Sequence, residues 1–241
     1  MKIALCLHGL FDSSQDMSSK GSDGFNHIKK NILDNNNVDV FIHSWEVDKK
    51  DEINNLYKPV KSLYETQIDF EPIVIERNLN SLTRMPRLPK NVLSHLYSVS
   101  QAVSLVYESS IEYDIVIKAR FDLGRINRNT SGPGHMNPYP VQCINFQTDI
   151  ENDKLYTADW NHFHMGPADM WFYGSSKVMH NFVGLYESLK SEMYIGSEFH
   201  KFATDIENNP GDLSNSIAFL KYWMINNGLW DNKVTLPTTW E

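Results

Sequence analysis

The sequence predicts a single α/β domain, a mixed sheet that is parallel in its N-terminal half and flanked by helices. Three observations predict it. Short apolar runs alternate with segments of helical periodicity through the first half, as strand–helix–strand units require. The runs are continuous rather than alternating, the mark of strands buried on both faces. The 241 residues show no composition shift, internal repeat or low-complexity linker, so residues 1–241 read as one unit with two halves, 1–125 and 126–241.

The elements follow in order. Ile3 to Leu7 is an apolar run that ends in His8-Gly9, as a central parallel strand would. A polar loop, Asp12 to Gly24, precedes Phe25, Ile28, Ile32 and Leu33 at helical spacing. Val38 to Ile42 is a second strand ending at His43-Ser44-Trp45, and a short helix is expected near Pro59 to Thr66. Pro72 to Ile75 reads as a third strand ending at Glu76-Arg77. Asn91 is a candidate N-cap for a helix carrying Val92, Leu96, Val99, Val103 and Val106 on one stripe. Tyr113 to Ala119 is a fourth strand ending at Arg120-Phe121-Asp122. Ser131 to Pro140 is a breaker-rich loop, and residues 141–165 are mixed, with antiparallel strands expected. Ala168 to Gly174 is strand-like and enters a helix capped by Ser175 or Ser176, burying Met179, Phe182, Tyr186, Leu189 and Met193. A last helix spans about Ser214 to Asn227, with Gly228 as its C-cap.

Composition narrows the function classes. Lys and Arg total 22 against 30 Asp and Glu, a formal net charge of −8. That balance argues against a general nucleic-acid binder, which needs a basic face; a local basic pocket for one diphosphate is compatible with it. Cys6 and Cys143 are the two cysteines, so there is no disulfide framework, and a reducing, cytoplasmic setting is expected. No apolar run approaches the ~20 residues of a membrane span, and the N-terminal apolar stretch lacks a cleavage site and reads as a buried strand.

Ligands in parallel α/β sheets bind beyond the carboxyl ends of the strands, and His8, Trp45, Arg77 and Asp122 fall at such ends. His8-Gly9 is open to three readings: a tight strand exit, a loop whose backbone N–H groups approach a nucleotide, or the oxyanion loop of an α/β-hydrolase-like esterase. The last needs a G-x-S-x-G elbow, which is absent; Ser175 and Ser197 follow glycines without that pattern. Asp122, just past a central strand, suits a hard divalent cation, Mn²⁺ or Mg²⁺, bridging to phosphates. Arg120 points the same way and suits a phosphate or an ion pair with Asp122; a plain surface pair is the alternative. Asp169, among Trp160, Trp171, Phe172 and Tyr173, suits a general base beside a sugar-binding surface, or a helix cap. Glu198 is the competing base. His162 and His164, two apart, lack a third ligand at zinc spacing and read as a polar loop. Met165, Met170, Met179, Met193 and Met224 sit at core spacing.

Phe41 to Trp45, Tyr113 to Asp122 and Ala168 to Ser175, in that order and with an amphipathic helix before the fourth strand, resemble a group of GT-A-type glycosyltransferases found in bacteria and large viruses. The resemblance spans most of the chain in short motifs. It implies a GT-A-like domain with a Rossmann-like N-terminal half, residues 1–125 binding a nucleotide-sugar donor and residues 126–241 a glycan or other hydroxyl acceptor. In that class the metal motif is Asp-x-Asp; here Arg120 replaces the first carboxylate and Asp122 matches the second. The resemblance implies His8, Gly9, Trp45, Arg77, Arg120 and Asp122 at the donor, Asp122 with His200 at a divalent cation, and Asp169 or Glu198 as base. The expected activity is hexosyl or pentosyl transfer. A non-catalytic nucleotide- or glycan-binding domain is the other reading, consistent with the missing first Asp.

Overall fold

The computed structural model describes residues 1–12, 21–82, 88–124, 143–159, 166–206 and 211–237. Seven strands are β1 (Ile3–Gly9), β2 (Val38–Ser44), β3 (Lys61–Tyr64), β4 (Ile115–Arg120), β5 (Leu155–Ala158), β6 (Trp171–Ser175) and β7 (Lys233–Leu236). They form one sheet in the order β3-β2-β1-β4-β6-β5-β7. β1 pairs in parallel with β2 and β4, and β2 with β3. β6 is antiparallel to β4 and β5, and β7 is parallel to β5. The α/β class and the mixed sheet with a parallel N-terminal half are therefore as the sequence predicts. Among the described residues no helix is long and apolar enough to cross a membrane.

Alternation along the strands feeds two cores. Ile3, Leu5 and Leu7 of β1 and Ile115, Ile117 and Ala119 of β4 face one side, with Ile28 of α1 (Gly21–Ile28) and Ile53 of α2 (Lys50–Tyr57). Ala4, Cys6 and Val116 face the other, against Val92, Leu96, Val99, Val103 and Val106 of α4 (Pro89–Tyr107). Both faces are covered, which is why the strands read as unbroken apolar runs. α5 (Ser176–Met179), α6 (Leu185–Glu192), α7 (Glu198–Asp205) and α8 (Ser216–Asn226) extend the α4 side. Met179, Phe182, Tyr186, Leu189 and Met193 are all buried there.

Two elements exchange places relative to the sequence reading. The run Pro72 to Ile75 is not a strand; it lies in α3 (Glu71–Glu76), with a proline in the first turn. Proline pre-sets the helical φ at that position, and only one side of the run is covered, Val74 being buried and Ile75 exposed. The strand instead comes from Lys61–Tyr64, where a short helix was expected. It pairs with β2 alone and is only half-buried, so it needs no apolar run. α4 starts at Pro89 with Leu88 in the cap position, placing Asn91 inside the first turn rather than at the cap. β7, which the sequence reading missed, is likewise half-buried.

Capping elsewhere matches the residue chemistry. The Ser175 hydroxyl accepts the Val178 N–H and starts α5. Asn215 Oδ1 accepts the Ile217 and Ala218 N–H groups and starts α8. At the other end of α8, Gly228 takes φ 67° while Leu229 N–H donates to Met224 O and Gly228 N–H to Ile225 O, the Schellman pattern. The loop 131–140, Trp160, His162, His164 and Met165 lie outside the described residues.

Gly24 of α1 sets the height of the turn after β4. A Cβ there would lie 2.0 Å from the Phe121 carbonyl oxygen. Gly24→Ala is therefore expected to destabilise the fold by the upper end of the roughly 1–3 kcal/mol seen for overpacking. The thermal midpoint should fall by about 2–4 °C per kcal/mol for a chain of this size. Calorimetry showing an unchanged midpoint would contradict this close approach.

Candidate functional site

Register builds the site. Within the sheet, His8 of β1 stands opposite His43 of β2 on one side and Arg120 of β4 on the other. All three lie at carboxyl ends of parallel strands. The chain leaves β1 toward β2 and β3 on one side, while β4 lies on the other. This is the topological switch point where open α/β sheets bind ligands. A cleft of about 630 Å³ opens there, bordered by His8, Gly9, Trp45, Arg120, Asp122 and Asp169. The N-terminal half of α4 closes another side with Asn91, Ser94, His95 and Ser98, and Ser216 comes from the start of α8.

Arg120 organises the floor. Its Nε and Nη2 donate to Asp122 Oδ1 and Oδ2 at 2.9 and 2.6 Å, a bidentate pair. Its Nη1 reaches Asp169 Oδ1 at 3.4 Å. Asp169 Oδ2 accepts from Ser216 Oγ at 3.4 Å and stands 3.3 Å from His95 Nε2. Burial works against the guanidinium charge, but Asp122 and Asp169 outweigh it and hold Arg120 firmly protonated.

Around this cluster lie imidazoles in their neutral form. His8 is 1% exposed. Burial, with the charges of Lys118, His95 and Arg120 and with His43 nearby, pushes its pKa well below the usual value. Among the described residues neither His8 ring nitrogen has a hydrogen-bond partner, and His95 Nε2 faces Asp169 without the alignment of a hydrogen bond. Burial takes His95 down to about 4, against the pull of Asp169. The two rings lie 5.2 Å apart. Trp45 stacks on Tyr97 at 5.4 Å and offers an aromatic wall.

The loop after β1 is held by protein groups. Gly9 N–H donates to Ser98 Oγ at 3.0 Å. Phe11 and Asp12 N–H groups donate to the Glu46 carboxylate. Of the readings of His8-Gly9, the braced strand exit is the one seen; these N–H groups are not offered to a phosphate. Gly9 takes φ 95°, which a side chain would strain, and space is open at its Cβ position. Ser98 also joins a buried row, with its Oγ 2.6 Å from His43 Nδ1 and His43 Nε2 2.9 Å from Glu65 Oε1. The row has the residue types of a hydrolase triad. Ser98 has no exposed surface, however, and already accepts from Gly9, so it braces the loop. Ser175 and Ser197 are helix caps.

Three expected residues lie elsewhere. Arg77 ends α3, not a strand, and its guanidinium donates to the Lys190 and Met193 carbonyls. Glu198 sits at the start of α7, 70% exposed and paired with Lys201. His200 also lies on α7, its Nδ1 accepting from Gly196 N–H. The pairing of Asp122 with His200 around a cation is therefore not what the chain assembles. Asp122 gives both oxygens to Arg120, and no group of three His, Cys, Asp or Glu among the described residues is placed to hold a metal ion. Among the described residues this donor set does not fit a resident divalent cation.

The sequence reading missed the contribution of α4. Asn91, Ser94, His95 and Ser98 recur at helical spacing, a polar stripe beside the apolar one of Val92, Leu96, Val99, Val103 and Val106. That stripe is the signal that could have placed α4 at the site.

Histidines held neutral in the fold make stability fall in acid. His95 has its native pKa near 4 against 6.5 for the free group, so between these values the unfolded chain binds the extra proton. Stability should therefore drop as pH falls from about 6.5 toward 4, by up to about 1.4 kcal/mol per pH unit for each such histidine. Urea unfolding at pH 7 and pH 5 should show this drop, and His95→Gln should make it smaller. An equal drop in the variant would mean that His95 is not held neutral.

Comparison of the chain with protein-family models and with curated proteins finds no match in either.

Proposed function

We propose that the chain is a glycosyltransferase that moves a hexosyl or pentosyl group from a nucleotide-sugar donor to a glycan or other hydroxyl acceptor. The observation that carries the reading is the Arg120–Asp122–Asp169 cluster, set beside His8 and Gly9 at the switch point of the sheet. The cleft volume falls in the range of small-molecule sites. Among the described lining residues Arg120 is the fixed cation, which suits a diphosphate, and Trp45 suits a base or sugar face.

In the proposed reaction the bond from the anomeric carbon to the diphosphate oxygen breaks, and its electron pair leaves with the diphosphate. The acceptor oxygen bonds to that carbon and gives its proton to Asp169. Arg120 has N–H groups left over from its two carboxylates to meet the growing negative charge. Asp122 keeps the guanidinium plane in place. Arg120 supplies positive charge at the position where a cation-binding carboxylate would stand. Cys6 and Cys143 are both buried, and with two cysteines in the chain we read the setting as reducing and cytoplasmic.

Arg120→Lys keeps the charge but loses the fork. It should weaken nucleoside diphosphate binding at least tenfold and leave nucleoside binding nearly unchanged, with the same result in EDTA or Mn²⁺. Asp169→Asn should lower turnover by about 10²–10⁴ while the donor Kd stays within a few-fold. Calorimetry finding no nucleoside diphosphate that binds would defeat the proposal. Binding without product from any donor would favour a non-catalytic binding domain, and labelling of a serine by a fluorophosphonate would favour an esterase.

A further inference from the structure

Lys118 is a lysine on a core strand, 1% exposed, between Ile117 and Ala119. It stands opposite Cys6 of β1 and Phe172 of β6. An apolar residue of similar length would fill this position at no electrostatic cost, because taking an ammonium out of water is expensive. Its Nζ lies 5.2 Å from the centre of the Phe172 ring and donates to the backbone carbonyl of Asp169. Asp169 is also the carboxylate that meets Arg120, His95 and Ser216 in the cleft.

We propose that Lys118 is a positioning residue: its ammonium holds the main chain at residue 169 so that the Asp169 carboxylate stays in the cleft. The inference rests on the reading of Asp169 as the base. Asp169 lies two residues before β6, and the Met170 carbonyl accepts the Arg120 N–H at 3.1 Å. The segment is thus fastened to β4 by the Met170 backbone, by Lys118 and, through the Asp169 carboxylate, by Arg120. The Lys118 contact is the one made to the main chain of the residue whose carboxylate faces the cleft. The charged groups around Lys118 are Asp169, Asp122 and Arg120, with His8 and His95 facing it from β1 and α4. Burial draws its pKa down to about 7, against the pull of Asp169, as befits a group retained for a purpose other than stability.

The test is Lys118→Met, which keeps length and removes the charge and the donor. A structural role alone predicts a lower thermal midpoint. The positioning role predicts an unchanged or higher midpoint, because a buried charge is removed. It also predicts turnover lower by ten- to a hundredfold, the cost of misplacing a reacting group by about 1 Å, with the nucleoside diphosphate Kd within threefold. A crystal structure of the variant should show residue 169 displaced and the Asp169–Arg120 contact broken. Lys118→Gln, a shorter donor, should fall between the two and serves if the Met variant does not fold. Asp169 still on Arg120 in the variant structure would overturn the inference, as would unchanged turnover. If the wild-type chain transfers no sugar, the function reading fails by itself, and the crystal structure alone decides whether Lys118 places Asp169.

Discussion

One guanidinium holds the floor of the cleft together. Arg120 ends β4 opposite His8, clamps Asp122 through two parallel hydrogen bonds and reaches Asp169 with its remaining arm. Those carboxylates come from different parts of the chain: Asp122 from the turn after β4, Asp169 from the approach to β6. Each would be costly to place in this confined space without a counter-charge. Burial keeps the neighbouring imidazoles neutral, and the positive charges of Lys118 and Arg120 add to it. The floor of the cleft, with its two carboxylates, therefore follows from the Arg120 side chain. That side chain is placed in turn by the β1–β4 register.

The rest of the fold serves that register. A one-residue slip between β1 and β4 would move His8 and Arg120 off each other and turn both faces of the strands inside out. Two apolar cores oppose such a slip, one under α1 and α2, the other under α4. The polar stripe of α4 then seals the cleft on the side where its apolar stripe ends. His43, Ser98 and Glu65 extend the same logic inward, tying the exit of β1 to α4 and to the residue after β3.

How much of this was legible in the sequence depends on how each element is buried. β1, β2 and β4 are covered on both faces and announce themselves as apolar runs. Because their ends were readable, so were His8, Gly9, Trp45, Arg120 and Asp122, all of which border the cleft. Arg77 failed for the converse reason: Ile73-Val74-Ile75 looks like a buried strand, and Pro72 was too weak a cue that it is a helix. Glu198 and His200 were ordered along the chain as candidates for a site that α7 does not reach. His95 stood unread within the polar stripe of α4, and Lys118 had no reading because its meaning lies in tertiary contacts. A lysine within an apolar run is nevertheless a local contradiction of the kind that marks strained or functional positions.

The two strands that the sequence concealed share a property with a consequence of its own. β3 and β7 are the outermost strands of the sheet, each four residues long, each opening on a lysine, Lys61 and Lys233, with Pro237 directly after the second. An outermost strand with a strong apolar signature would be easy to recognise, and it would also invite another chain to continue the sheet. Short, charged borders make that pairing unfavourable. Their faint trace in the sequence is the counterpart of borders that do not favour growth of the sheet between molecules, at either side of the seven strands of the described residues.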